Sequence, residues 1–217
     1  MSDLLLWAKG PGFSIALFIF LAGTVLRLGE ILWLRRKTDL APAKGEVLGP
    51  VLRTIGHRFL PAPGMLRKSP VVHIGGWTFH VGLFVILFLF TPHIVLVQAF
   101  TGLSWPGLPH SLVHAVTLAT MAAMVAVLAA RISDPVKKLL SDVEDYLVWG
   151  LTFLPLLTGF LAVGRMGLAY DTLLALHILS VELLMVVFPF TKLMHALTWV
   201  LARGYTGAIA GRKGAHS

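Results

Sequence analysis

Two histidines near the ends of one long apolar segment are the residues here with the clearest capacity for chemistry. His177 and His195 lie eighteen positions apart in LHILSVELLMVVFPFTKLMHALTWVL, residues 176–201. Eighteen residues make five turns of helix, so a continuous helix places both imidazoles on one face, ~27 Å apart along the axis. Zinc needs its ligands clustered within a few ångströms. The spacing instead predicts two separate sites, each completed by another helix, and haem b suits them because its iron accepts axial imidazoles from opposite faces.

The partner imidazoles are expected in HVGLFVILFLFTPH, which begins at His80 and ends at His93. The predicted second and fifth helices run in opposite directions, so His80 matches the depth of His195 and His93 that of His177. On an ideal helix, thirteen residues leave the two side chains ~140° apart around the axis. Pro92 is expected to kink the helix or end its ladder and so to re-aim His93.

Other residues compete for these roles or support them. His114, at the outer end of the third predicted helix, is an alternative ligand for the outer site, and His110 is a weaker one. A single histidine in a membrane helix is more often simply hydrogen-bonded to a neighbour, but several at two depths favour ligation.

Two cations could also meet the carboxylates of a haem. Arg27 and Glu30 are spaced for a local ion pair; Arg27 is alternatively a partner for a haem propionate. Lys192, three residues before His195, is a second propionate candidate, and its simpler role is to extend its amine to the membrane surface. Glu182 is expected to hydrogen-bond a neighbouring helix or to serve a proton route.

The elements that must position these residues are membrane-spanning helices. Of the 217 residues, 57% are hydrophobic and 13% charged, a composition typical of an integral membrane protein. Stretches of about twenty apolar residues predict an all-α protein with a bundle of five transmembrane helices in one membrane domain, 1–217. The predicted spans are 12–34, 76–100, 112–131, 146–164 and 172–201.

Charge sets the predicted orientation. Fourteen Lys and Arg residues fall in the first and third loops and the C-terminal tail, against two, Lys9 and Arg165, on the other side. The positive-inside rule therefore places the N-terminus outside and the C-terminus in the cytoplasm. Basic residues spread over these loops do not form the stripe expected of a nucleic-acid-binding domain. The sequence contains no cysteine, which excludes disulfides and thiolate-ligated clusters.

The first cytoplasmic loop, 35–75, is long and rich in Pro and Gly. Around VLRTIGHRFL it is expected to form one short amphipathic helix. Its exposed surface is either simply solvated or a docking surface for a cytoplasmic subunit.

The histidine segment also resembles a known family. LHILSVELLMVVFPFTKLMHAL resembles the last helix of the cytochrome b gamma subunits of respiratory nitrate reductases, in which two histidines flank a Phe-Pro-Phe and a Thr-Lys type pair. TVLRLGEI and FHVGLF…TPH look like that family's first and second helices. Phe90 stands where that pattern has its second ligand in the second helix. This departure favours the similar membrane cytochromes that accompany heterodisulfide-reductase-like iron–sulfur proteins.

The resemblance implies a di-haem b subunit of a prokaryotic inner membrane that exchanges electrons between quinone and a cytoplasmic iron–sulfur partner. His80 and His195 would hold the inner haem, and His177 with His93 the outer one. The chain has no nucleophile–base pair or carboxylate pair, so it is expected to perform no substrate chemistry alone. A haem-free membrane anchor and, less favoured, a small transporter are the alternatives; the sequence lacks the repeated halves expected of a transporter.

Overall fold

A computed structural model describes residues 2–34, 41–57, 59, 61 and 64–215, and these form helices and turns with no strand among them. Arg35, Arg36, Lys37 and Arg58, which contribute to the predicted charge asymmetry, lie outside the described residues. The contacts divide the chain into two compact units. The first comprises Met1–Ser14 and Leu66–Leu184, the second Ile15–Met65 and Met185–Ser217.

Among the described residues, five helical segments are long and apolar enough to cross a membrane, as the sequence predicts. In chain order these segments are Asp3–Trp33, Pro70–Leu89, His110–Ser133, Val143–Gly164 and Tyr170–Phe190. The first consists of α1 (Asp3–Trp7), a wide π turn (Ala8–Gly12) and α2 (Phe13–Trp33).

Two of the predicted spans are not continuous helices. The second, expected over 76–100, is divided into α5 (Pro70–Leu89) and α6 (Thr91–Thr101), preceded by the short helices α3 (Leu48–His57) and α4 (Met65–Lys68). The fifth, expected over 172–201, is divided into α10 (Tyr170–Val187) and α11 (His195–Arg212). A proline lies at each break, Pro92 in the first turn of α6 and Pro189 between α10 and α11, and proline has no N–H to donate to the helical ladder.

The break in the fifth span corrects the expected relation between His177 and His195. Two short 3₁₀ turns, Phe188–Phe190 and Lys192–Met194, flank Thr191, whose backbone is extended (φ −129°, ψ 177°). The two histidines therefore do not share one continuous helix, and five regular turns do not relate them.

The core of the first unit is built on α7 (His110–Ser133), which packs against α5 and α9 (Val143–Gly164). Met121, Met124 and Leu156 form its buried centre. Close approach of α5 to α7 depends on small residues, because a side chain at Gly82 would overlap Thr120.

The connection between α7 and α9 is set by acidic caps. Asp134 accepts hydrogen bonds from the first backbone amides of α8 (Pro135–Leu139). Asp142 and Asp145 each accept from the other's backbone amide and so begin α9. Such caps satisfy amides that have no partner within the helix.

In the second unit, α3 packs on α11. The backbone around Pro50 and Val51 lies against Gly207, and the backbone around Glu46 lies against Gly211. A side chain at either glycine would overlap this backbone. Arg203 lies over the rings of Phe59 and Trp199 and completes the contact. The amphipathic helix expected in the first loop thus exists, with one face covered by this chain and Leu48, Leu52 and Arg53 exposed.

Candidate functional site

His93 owes its position to the break between α5 and α6. Phe90 has an extended backbone (φ −87°, ψ 121°), and Pro92 stands in the first turn of α6. The break leaves carbonyl groups at the end of α5 without helical partners. His93 Nδ1 donates to the Ile86 carbonyl oxygen at 2.8 Å, which turns the imidazole back onto α5. Pro92 thus ends the regular ladder, as predicted.

Two further carbonyls at this end of α5 accept hydrogen bonds from the segment that follows α6. The indole of Trp105 donates to the Phe88 carbonyl at 2.5 Å, and the Leu108 amide donates to that of Leu89 at 2.8 Å. Phe90 is buried and contacts His93 edge-to-face, with ring centres 5.3 Å apart. These contacts hold the break in one conformation.

His177 lies on α10 and is fixed by α9. Its Nδ1 donates to the Pro155 carbonyl oxygen at 3.1 Å, with Thr158 Oγ1 3.4 Å away. Thr158 also bonds Ser180 at 3.0 Å, so the two helices are linked on both sides of the ring. Gly159 makes room for the imidazole, because a Cβ there would lie 3.0 Å from His177 Cε1.

His93 and His177 form a pair. Their ring centres are 6.3 Å apart and their planes differ by 16°. Both Nδ1 atoms donate to carbonyl oxygens, which can only accept, so the hydrogen of each neutral ring is on Nδ1 and Nε2 keeps its lone pair. Within the described part of the chain, neither Nε2 makes a hydrogen bond.

This geometry fits a metal held between two imidazoles. Two rings that bind one ion from opposite sides, about 2 Å from each nitrogen, have centres roughly 6 Å apart. A histidine that binds a metal usually donates its other ring N–H to a carbonyl or carboxylate, which fixes the orientation of the ring. No group of three or more potential metal-ligating residues occurs among the described residues. A haem iron takes two protein ligands, and the distance between the ring centres of this pair matches such a site.

The alternative ligands of the outer site occupy other surroundings. His114 stacks on Phe160 of α9, with ring centres 4.2 Å apart and planes 18° apart. His110 contacts Phe90 edge-to-face at 5.1 Å. Among these candidates, the ring that the structure stacks with His177 is that of His93.

His80 and His195 share the same local arrangement. His80 Nδ1 donates to the Gly76 carbonyl at 2.7 Å, and His195 Nδ1 donates to that of Lys192 at 2.7 Å. Both side chains are exposed. They belong to different units, His80 to the first and His195 to the second, and their pairing stays a prediction.

Arg27 and Lys192 both lie in the second unit. Arg27 pairs with Glu30 at 2.7 Å, which confirms the expected ion pair, and its Nε donates to the Pro189 carbonyl at 3.3 Å. A cleft of about 350 Å³ adjoins Arg27 and Thr191. Lys192 is exposed in the 3₁₀ turn before His195. A propionate role for either residue stays a prediction.

No family model matches this chain. It is 30% identical over 141 residues to a protein of Nitratidesulfovibrio vulgaris strain Hildenborough whose name states no activity. The alignment covers 65% of this chain and 62% of that protein, so the chain spans less than two thirds of its relative's length.

Sequence reasoning missed two contributors to the site and its surroundings. Gly159 belongs to no recognisable motif. A glycine in an apolar helix indicates close packing against another helix, but it does not indicate which residue it contacts. Gly12 lies in the π turn against Glu182, more than 160 residues away in sequence. Only the tertiary structure brings these residues together.

Proposed function

We propose that this chain is a membrane electron-transfer subunit that holds one haem b between His93 and His177. The observation that carries the proposal is the nearly parallel imidazole pair, with both Nδ1 atoms committed to backbone carbonyls. Haem iron, when bound, supplies a one-electron redox centre. The chain contributes ligands of fixed tautomer and orientation, within apolar helices that keep water from the site.

The rest of the electron path is proposed on sequence grounds. His80 and His195 hold a second haem b near the cytoplasmic side, and Arg27 and Lys192 are the proposed partners of its propionates. The positive-inside rule places the N-terminus outside and the C-terminus in the cytoplasm of a prokaryotic inner membrane. By resemblance, electrons pass between quinone and a cytoplasmic iron–sulfur protein. The exposed face of α3, with Leu48, Leu52 and Arg53, is a docking surface for that protein.

The direct test is the haem content of the purified protein. The chain should be expressed with adequate haem, purified in detergent, and assayed by pyridine haemochrome and dithionite-reduced minus oxidised spectra. We expect two haems b per chain. One haem would overturn the inner or the outer assignment, and variants of the histidines would show which. No haem in folded protein would overturn the proposal in favour of a haem-free anchor.

Gly159 offers a finer test of the outer site. A methyl group at this position would lie 3.0 Å from His177 Cε1 and 3.1 Å from Nδ1. The imidazole must shift to make room for this methyl group, so we expect Gly159→Ala to lower haem retention at this site several-fold. Gly150→Ala in the same helix is the matched control, because nothing lies within 4 Å of a Cβ there. Equal haem content in the two variants would contradict the placement.

A further inference from the structure

Glu182 is a carboxyl group buried in α10 with an oxygen that has no partner. The residue is 6% exposed, and its Oε1 makes no hydrogen bond to any residue that the structure describes. Its neighbours along the helix are Val181 and Leu183. A carboxylate in such surroundings is costly, and intramembrane ionisable residues mark function by default. The proposed electron path makes no use of Glu182.

The N-terminal segment forms the other wall around this carboxyl. Its helix widens into the π turn Ala8–Gly12, which contains Pro11. A Cβ on Gly12 would lie 2.9 Å from Glu182 Oε2 and 2.6 Å from the Trp7 ring, so the carboxyl occupies space that only glycine leaves. Single π turns within α-helices frequently occur at functional sites. The N-terminal segment therefore covers a buried group that can bind a proton.

This carboxyl lies on the helix that carries His177. Glu182 follows His177 by five residues, which on an α-helix is a rise of ~7.5 Å and a rotation of ~140°, so the two side chains leave different faces of α10. Charges interact strongly across a low-dielectric interior. An electron on iron held by His177 would therefore raise the proton affinity of Glu182.

We propose that Glu182 binds a proton when the haem at His93 and His177 is reduced and releases the proton when that haem is oxidised. This inference rests on the proposed function. Oxidation of a quinol to a quinone releases two electrons and two protons, and a haem bound at His93 and His177 would take up one of the electrons while the other haem took the second. One of the protons would form an O–H bond on Oε1 of the Glu182 carboxylate, so the two added charges would cancel, and the other proton would pass to water. When the electron moved on to the iron–sulfur partner, the proton on Oε1 would return to water.

Other charged groups on these elements are placed differently. Asp3 in α1 and Lys9 in the π turn are exposed. On α10, Asp171 is half-buried in the first turn, and His177 has its Nδ1 proton committed to the Pro155 carbonyl. Among these groups, Glu182 is the buried carboxyl with an unsatisfied oxygen.

The test is the pH dependence of the haem potentials, measured by spectroelectrochemical titration of the purified protein and of Glu182→Gln. In the unchanged protein, one haem potential should fall as pH rises, by up to 59 mV per tenfold change in proton concentration for a one-electron couple. In Glu182→Gln that potential should stay at its low-pH value, since the neutral amide resembles the protonated acid. An unchanged slope in the variant, or no slope in the unchanged protein, would overturn the inference.

Two further measurements separate this inference from other failures. The haemochrome assay comes first: no haem in the unchanged protein refutes the proposed function, whereas haem with a flat potential refutes only the role of Glu182. If Glu182→Gln does not fold, Gly12→Ala replaces it. The methyl group of Gly12→Ala displaces the carboxyl. It should shift the midpoint of the pH titration of that haem potential by about half a pH unit or more. Gly10→Ala in the same turn, where nothing lies within 4 Å of a Cβ, should leave this midpoint unchanged, and equal midpoints in the two variants would overturn the inference.

Discussion

Replacing His177 with Ala is expected to reduce the haem content from two haems per chain to one. Iron between two imidazoles loses an axial ligand when either is removed, and the Pro155 carbonyl loses its donor at the same time. His93→Ala should give the same result. The measurement is the haemochrome stoichiometry, together with the reduced-minus-oxidised spectrum of the remaining haem.

His114→Ala is the matched control for this prediction. His114 stacks on Phe160, so its removal should cost packing and leave two haems bound. Loss of one haem from His114→Ala, with both haems retained in His93→Ala, would make His114 the outer ligand. His195→Ala should remove the inner haem and retain the outer one, and loss of neither would refute the inner assignment.

Added imidazole distinguishes a ligand from a packing residue. A ligand deletion leaves a cavity next to the iron, which free imidazole can enter and bind. We expect imidazole to restore the second haem to His177→Ala. A variant that lost haem because its helices packed poorly would not recover in this way.

Helix breaks before two of the proposed ligands explain how the chain orients them. His93 stands in the first turn of α6, three residues after the extended Phe90. His195 begins α11, four residues after the extended Thr191. In each break, proline interrupts the ladder and a nearby backbone carbonyl accepts the Nδ1 hydrogen. The breaks fix the tautomer and direction of each ring through local backbone geometry.

The five apolar segments were predictable from sequence because their length and hydropathy alone determine them. The separation of α5 from α6 was also predictable, since Pro92 cannot donate to the ladder. The prediction that one continuous helix carries both His177 and His195 was wrong. A bend at Pro189 can be expected from the sequence, but the extended conformation of Thr191 has no signal in the residue itself.

The candidate site was predictable in its residue types but not in its geometry. Depth matching paired His93 with His177, whereas ideal helical geometry alone placed the ring of His93 ~140° away from that of His80. The hydrogen bond from His93 to Ile86 spans seven residues across the break, so regular helix geometry could not supply it. The contacts of Gly159 with His177 and of Gly12 with Glu182 join distant segments, which no local pattern encodes.

Stability should depend most sharply on the packing of α5 against α7. A Cβ on Gly82 would overlap Thr120 Oγ1. Thr120 is fully buried, and its hydroxyl donates a hydrogen bond to the Val116 carbonyl at 2.7 Å. Threonine is β-branched and has few alternative rotamers. The helices must therefore separate, or the hydroxyl must give up its bond. We expect Gly82→Ala to destabilise the protein by about 1–3 kcal/mol, as overpacked cores typically are.

Gly76→Ala in the same helix separates this steric effect from helix propensity. Nothing lies within 4 Å of a Cβ at Gly76, so that variant should be neutral or more stable by up to ~1 kcal/mol. Thermal unfolding in detergent, followed by circular dichroism, should show a fall of roughly 2–10 °C for Gly82→Ala and none for Gly76→Ala. Equal melting temperatures would mean that α5 and α7 are not in close contact at Thr120. The helix α5 carries His80 and ends at the break that positions His93. Separation of α5 from α7 should therefore also lower the haem content. The packing of small residues between these helices is thus linked to the proposed redox centre.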